Sequence, residues 1–277
     1  MHLWRKRANT DWLKRHAHEL RARLGRALAI IEQPGKARAL VEVCCERRIE
    51  AERLQREFGG RVEKLRADWL QQFAKKSRAK PLRAGSRLIV SRSVESKLKG
   101  ARTIVIPAEA AFGTGDHATT AMSLRMLEHI TRKHTTDWSM LDAGTGSGIL
   151  AIAGSCFGAK RIVAIDNDPL AVSTAQRNAR RNRRRNIDFR TGDVSKQKFG
   201  GKFDVITANL FSEILIAALP IWSRCLAKNG HLILSGILRS QERMLVAALD
   251  RNDFGAEEIK RRGRWIAILA YRLRKRS

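Results

Sequence analysis

From Ser139 to Arg272 the chain alternates short apolar runs with amphipathic stretches, and this alternation narrows the fold more than any other feature. Strands are expected at 139–143, 161–166, 187–191, 203–209, 230–236, about 255–261 and 264–272. Helices are expected at 117–131, 149–157, 169–182, 211–227 and 239–250. Strands and helices taking turns imply a mainly parallel, doubly wound sheet. Nothing helical separates the last two strands, so they should pair as a hairpin and add one antiparallel strand.

The N-terminal segment follows a different pattern. His2–Arg7 reads as an edge strand, and Thr10 as the cap of a helix carrying Leu13, Leu20 and Leu24. Strands at 27–32 and 38–45 flank the turn signal Pro34-Gly35. A second helix, 46–58, ends at Gly59-Gly60, and a short strand at 61–65 closes the unit. The order β-α-β-β-α-β is a ferredoxin-like arrangement. Residues 66–100 read as a connector containing the basic run Lys75-Lys76-Ser77-Arg78-Ala79-Lys80, with a candidate strand at Leu88-Ile89-Val90. The expected division is 1–65, 66–100 and 101–277.

Charge bears on partners. The 55 basic and 27 acidic residues leave +28, split as +15 over residues 1–100 and +13 over residues 101–277. A charge spread in this way gives a basic surface rather than a basic tail, and favours polyanions; solvated helix faces are the plainer reading. No apolar run reaches the ~18 residues that a bilayer requires, and the first residues lack the apolar core of a secretory leader. Cys44, Cys45, Cys156 and Cys225 form no C-x-x-C pair. Reduced thiols in a cytoplasmic protein are expected, with no zinc site.

Within the alternating region, Leu141-Asp142-Ala143-Gly144-Thr145-Gly146-Ser147-Gly148 joins a strand to a helix. Glycines allow a tight turn and close ligand approach, and a helix N-terminus offers free N–H groups. The pattern G-x-G-x-G differs from the G-x-G-x-x-G of dinucleotide enzymes. Asp166 ends the next strand, where an acid can accept from ribose hydroxyls. Asp168 before Pro169 reads as a helix cap. Asp193 follows the third strand, either as an acceptor for an exocyclic amine or as a plain turn residue. Asn209 closes the fourth strand at the carboxyl edge, as a site residue or a helix cap. Before the sheet, Ala111 to Thr120 includes Phe112-Gly113-Thr114-Gly115 and His117. A lone histidine at a helix start is read as structural, with no second ligand at metal spacing.

Taken together, Ala111–Thr120, Leu141–Leu150, Asp166–Pro169 and Asn209-Leu210 resemble the bacterial ribosomal protein L11 methyltransferase family. The resemblance implies a Rossmann-like class I methyltransferase sheet of seven strands behind a small ferredoxin-like α+β substrate-recognition domain. It also implies S-adenosyl-L-methionine as donor, and lysine side chains and an N-terminal amine of the ribosomal protein as acceptors. Cofactor contacts would fall on Phe112, Gly113, Thr120, Gly144, Gly146, Asp166, Asp193 and Asn209; the alignment that the reaction needs assigns Asn209, through its carbonyl or nearby backbone, to orienting the amine. The chain departs from the family in having Asp116, Ala118 and Leu210-Phe211-Ser212-Glu213 at positions where other residues are common.

Transfer from a sulfonium is an in-line displacement that depends mainly on alignment. The acceptor amine must be neutral, and desolvation beside a cation favours that state. Cys156 and Cys225 fall inside expected helices, away from the strand tips, which excludes a thiolate-attack mechanism. RNA is the alternative substrate, suggested by six arginines in the nine residues 177–185 and by possible rRNA contact through the basic surface. A non-enzymatic binding protein is the third reading.

Overall fold

The computed structural model describes residues 2–24, 28–31, 38–45, 47–64, 81–92, 102–107, 117–132 and 137–273. The chain divides into two compact units, Met1–Arg78 and Ala79–Ser277. Phe112, Gly113 and the basic run at 75–80 lie outside the described residues.

In the first unit β1 (His2–Asn9), β2 (Leu28–Ile31), β3 (Arg38–Cys45) and β4 (Arg61–Lys64) form an antiparallel sheet in the order β2-β3-β1-β4. With α1 (Thr10–Leu24) and α2 (Arg48–Phe58) this is the expected ferredoxin-like unit. One detail differs. β1 is a central strand rather than an edge, pairing with both β3 and β4. It is held there by Trp4, fully buried, whose indole N–H donates to the Gly59 carbonyl at 2.8 Å. Asn9, one residue before the expected cap, accepts from the Trp12 N–H at 2.9 Å at the start of α1.

In the second unit β5 (Leu82–Ala84), β6 (Leu88–Ser91) and β7 (Arg102–Val105) form a small three-stranded sheet, so part of the expected connector is folded. The large sheet contains β8 (Ser139–Ala143), β9 (Arg161–Asp166), β10 (Ile187–Thr191), β11 (Phe203–Asn209), β12 (Leu226–Leu238), β13 (Phe254–Arg262) and β14 (Trp265–Arg272). Its order is β10-β9-β8-β11-β12-β14-β13. β8 to β12 are parallel, while β14 runs antiparallel to both β12 and β13, the expected hairpin.

Both faces of this sheet are covered, which explains the nearly continuous apolar strands. Met140, Ile162 and Ala164 face α3 (Ala118–Ile130) and α4 (Ile149–Cys156). Leu141, Val163 and Ile165 face the opposite layer, α6 (Ser212–Cys225) and α7 (Glu242–Arg251). α5 (Pro169–Arg181) connects β9 to β10. The strand order reverses at β8 and β11, so their carboxyl ends open a crevice. No helix among the described residues is long and apolar enough to cross a membrane. Cys44, Cys45, Cys156 and Cys225 are free thiols.

Candidate active site

At the carboxyl end of β8 the chain turns sharply into α4. The Gly144 and Thr145 N–H groups both donate to the Ile165 carbonyl, at 2.8 and 3.0 Å, which ties the turn to β9. Gly144 has φ 75°, and a Cβ there would lie 2.3 Å from Leu210 Cδ2. Only glycine lets Leu210 lie directly over the turn.

Asp166 stands at the tip of β9, with both carboxylate oxygens engaged by backbone. Oδ2 accepts from the Gly146 N–H at 2.9 Å and Oδ1 from the Asp168 N–H at 3.0 Å. Asp166 thus holds the glycine turn and the start of α5 in fixed relation. Each oxygen retains a lone pair for a further donor. Asp168 caps α5 as expected, accepting from the Leu170 N–H at 2.8 Å.

Asp193 follows β10 in a local turn. Its Oδ1 accepts from the Ser195 N–H at 2.9 Å and hydroxyl at 2.6 Å, and these bonds hold its pKa below the usual carboxylate value. The turn reading of Asp193 is what these bonds show, and the residue also lines a cleft. That cleft has a volume of about 340 Å³, and Gly144, Asp166, Asp193, Leu210, Glu213 and Ile214 are among its walls. The size is within the range typical of small-molecule sites. No lysine or arginine is among its described walls.

Asn209 ends β11. Its amide N–H donates to the Thr120 hydroxyl at 3.3 Å, joining two residues 89 positions apart. Thr120 is fully buried at the start of α3. Asn209 Oδ1 is buried and finds no hydrogen-bond partner among the described residues, which leaves an acceptor for a ligand donor. The corner that follows Asn209 depends on Gly236 in β12. Gly236 has φ 86°, and a Cβ there would lie 2.4 Å from the Leu210 carbonyl oxygen. The Leu210 N–H donates to the Ser235 carbonyl at 3.0 Å, fixing the same corner.

His117 lies at the start of α3, with Nδ1 2.7 Å from the Thr119 hydroxyl and its ring edge-on to Trp265. Burial, aided by the Arg264 charge, lowers its pKa. Among the described residues no group of side chains could hold a metal ion.

Asp142 was not singled out by the sequence. It is 1% exposed beneath the turn. Oδ2 accepts from the Thr145 hydroxyl at 2.7 Å and the Ala151 N–H at 3.2 Å, and Oδ1 from the Thr207 hydroxyl at 2.7 Å. Burial raises its pKa to about 6 against the opposing hydrogen bonds. The signal was an acid directly before Ala143-Gly144 in an otherwise apolar strand. Its partner Thr207, 65 residues away, was not legible.

The chain matches the family model described as ribosomal protein L11 methyltransferase (PrmA) over residues 8–273. The ribosomal protein L11 methyltransferase of Heliobacterium modesticaldum is 36% identical over 208 residues, covering 74% of this chain and 64% of the relative. That of Symbiobacterium thermophilum is 35% identical over 237 residues, covering 80% of this chain and 76% of the relative. Among solved structures, the ribosomal protein L11 methylase of Lactobacillus delbrueckii subsp. bulgaricus aligns with TM-score 0.64 and 30% identity, over 70% of this chain and 99% of that one. Against the Heliobacterium relative the matched region thus spans about 64% of the relative's length.

Proposed function

The chain belongs to the ribosomal protein L11 methyltransferase family, and on that premise we propose that it methylates amines of that ribosomal protein. The donor is S-adenosyl-L-methionine; the acceptors are lysine side chains and the N-terminal amine. The observation that carries this reading is the match over residues 8–273, which reaches both compact units.

The residues at the carboxyl edge fit the donor. The cleft offers carboxylates at Asp166 and Asp193 for the donors of a nucleoside, and bare backbone at Gly144. Asn209 Oδ1 adds a buried acceptor without a partner among the described residues. When bound, the donor supplies a methyl group on a sulfonium, a good leaving group. What remains for the protein is alignment and an unprotonated amine. Asp166 holds the turn and accepts from the ribose hydroxyls. Asp193 accepts from the adenine amine. Thr120 fixes the Asn209 amide from one side, so that Oδ1 faces the acceptor amine and orients its lone pair. Burial of a lysine ammonium beside a sulfonium lowers its pKa, so no strong base is required. Phe112 and Gly113 complete the donor contacts in this reading, and the N-terminal unit recognises the ribosomal protein. An enzyme acting on ribosomal proteins as ribosomes assemble works in the cytoplasm.

The test incubates the protein with isotope-labelled donor and a mixture of unmethylated L11 and ribosomal RNA. Label in L11 is expected. Label in RNA would establish the alternative substrate class.

A further inference from the structure

In the second unit the cleft at the carboxyl edge is lined by acids, although Lys196, Arg239 and Arg264 also stand at that edge. The carboxyl edge carries Asp166, Asp193 and Glu213 around the cleft. At the opposite, amino edge, cations precede or begin four of the five parallel strands, while β8 between them is preceded by Asp137-Trp138. Arg183 and Arg185 lead into β10, Lys160 and Arg161 into β9, Lys202 into β11 and Arg224 into β12. All six are exposed.

Hydrogen bonds make these six a contiguous row. Arg161 donates to the Lys202 carbonyl at 2.7 Å and Lys202 to the Arg224 carbonyl. On the other side the Asn186 amide donates to the Ala159 carbonyl at 2.6 Å, which sets Arg185 beside Lys160. Four strand spacings separate β10 from β12, so the row is roughly 19 Å wide. The acids at this edge are few. Asp137 pairs with Lys160 at 2.8 Å, Asp188 with Arg190 at 2.6 Å, and Asp204 accepts from Ser139 at 2.8 and 2.9 Å. Elsewhere arginines meet acids, as in Arg5–Glu42, Arg87–Glu128 and Arg261–Glu242. Arg183 and Arg185 have no ion-pair partner among the described residues.

Arg183 carries a second mark. It sits past the end of α5 with φ 54°, where the Arg184 N–H reaches back to the Ala179 carbonyl at 2.9 Å. This is a helix-terminating position that glycine fills at less conformational cost. An arginine there is not explained by local folding.

We propose that this row is a docking surface for the phosphate backbone of RNA, on the edge opposite the cleft. Guanidinium groups match phosphate oxygens in a bidentate manner. Among the described residues the exposed ring at this edge is Tyr271, at the end of β14 beyond the row, and Phe203 is buried under Arg161, so no ring lies between the cations for bases to stack on. The exposed apolar residues at this edge, Tyr271 and Leu273, lie beyond the row at the end of β14 and do not form the broad apolar face that membrane insertion needs. RNA docks here as a scaffold and not as the methyl acceptor. The inference does not require the methyl-transfer reading, because its readout is binding.

The test measures anisotropy of a labelled RNA duplex of arbitrary sequence against the full chain at several salt concentrations. The variant combines Arg183→Gly with Arg185→Ala; the glycine relieves backbone strain, so folding is retained. Loss of two phosphate contacts should lower the log–log salt slope by about two and weaken binding roughly tenfold or more at moderate salt. RNA at saturation should leave affinity for S-adenosyl-L-methionine unchanged. An unchanged salt slope in the variant would overturn the proposal. So would competition between RNA and the nucleoside, or phosphatidylglycerol vesicles binding as tightly as RNA and losing that affinity in the variant.

Discussion

Asp142 shows how one side chain can govern a turn it does not form. Its three hydrogen bonds join β8, the glycine turn, α4 and β11. Because its folded pKa, about 6, exceeds its ordinary value of 3.8, the folded state binds more protons than the unfolded state between those values. Asp142 therefore contributes stability below about pH 4 that is lost as pH rises to 6, on the order of 3 kcal/mol. Denaturant titrations of Asp142→Asn across this window should lack that loss. Asp142→Ala strands the Ala151 N–H and should destabilise by about 1–3 kcal/mol near pH 4, where the wild-type carboxyl is protonated, and by less above pH 6; wild-type stability of that variant at pH 4 would show that the bonds matter little. At Asp166, replacement by Asn removes charge from the proposed ribose contacts and should lower affinity for the methyl donor about 10- to 100-fold, as read by calorimetry. Gly144, Asp166 and Asn209 were legible in the sequence because each stands at the end of an apolar run. Thr207 and the Asn209–Thr120 bond were not, because they join segments far apart in the chain.

Among the elements, the β11–β12 pair sets the position of Asn209. The bulge between Ser235 and Ile237 lets Gly236 pass under the Leu210 backbone. Gly236→Ala puts a methyl against a carbonyl that cannot turn aside, at a positive φ. A cost of at least about 2 kcal/mol is expected, with a shift of the Asn209 corner. Thermal denaturation checks the first, and a fall in kcat larger than any rise in KM checks the second. A second junction ties the β5–β6 turn to α3. Glu128, 3% exposed, accepts from Arg87 and Arg132, each at 3.2 Å. Burial works to raise its pKa, but the two guanidinium groups together outweigh it and hold the carboxyl below its usual value. Stability from this group is present above the ordinary carboxylate pKa and lost as pH falls. Glu128→Gln should cost about 3 kcal/mol near neutrality, and a change under 1 kcal/mol would show that the cluster is solvated. Strand–helix periodicity identified all seven strands of the large sheet. It did not identify β5, whose three residues are too short for a period to register.

At the largest scale, the second unit has an acid-lined cleft at the carboxyl edge of its sheet and a row of cations at the amino edge. The net charge of +28 indicated polyanions without indicating where they would bind; only the stacking of strands by number, β10-β9-β8-β11-β12, aligns cations from distant segments. Raising salt from low to moderate should therefore weaken RNA binding steeply while leaving affinity for the methyl donor nearly constant. The central claim is that the carboxyl-edge cleft takes a sulfonium nucleoside. Calorimetric titration of the full chain with S-adenosyl-L-methionine, and separately with a nicotinamide dinucleotide, tests it most directly. Saturable heat is expected with the first and none with the second; heat only with the dinucleotide would contradict the account.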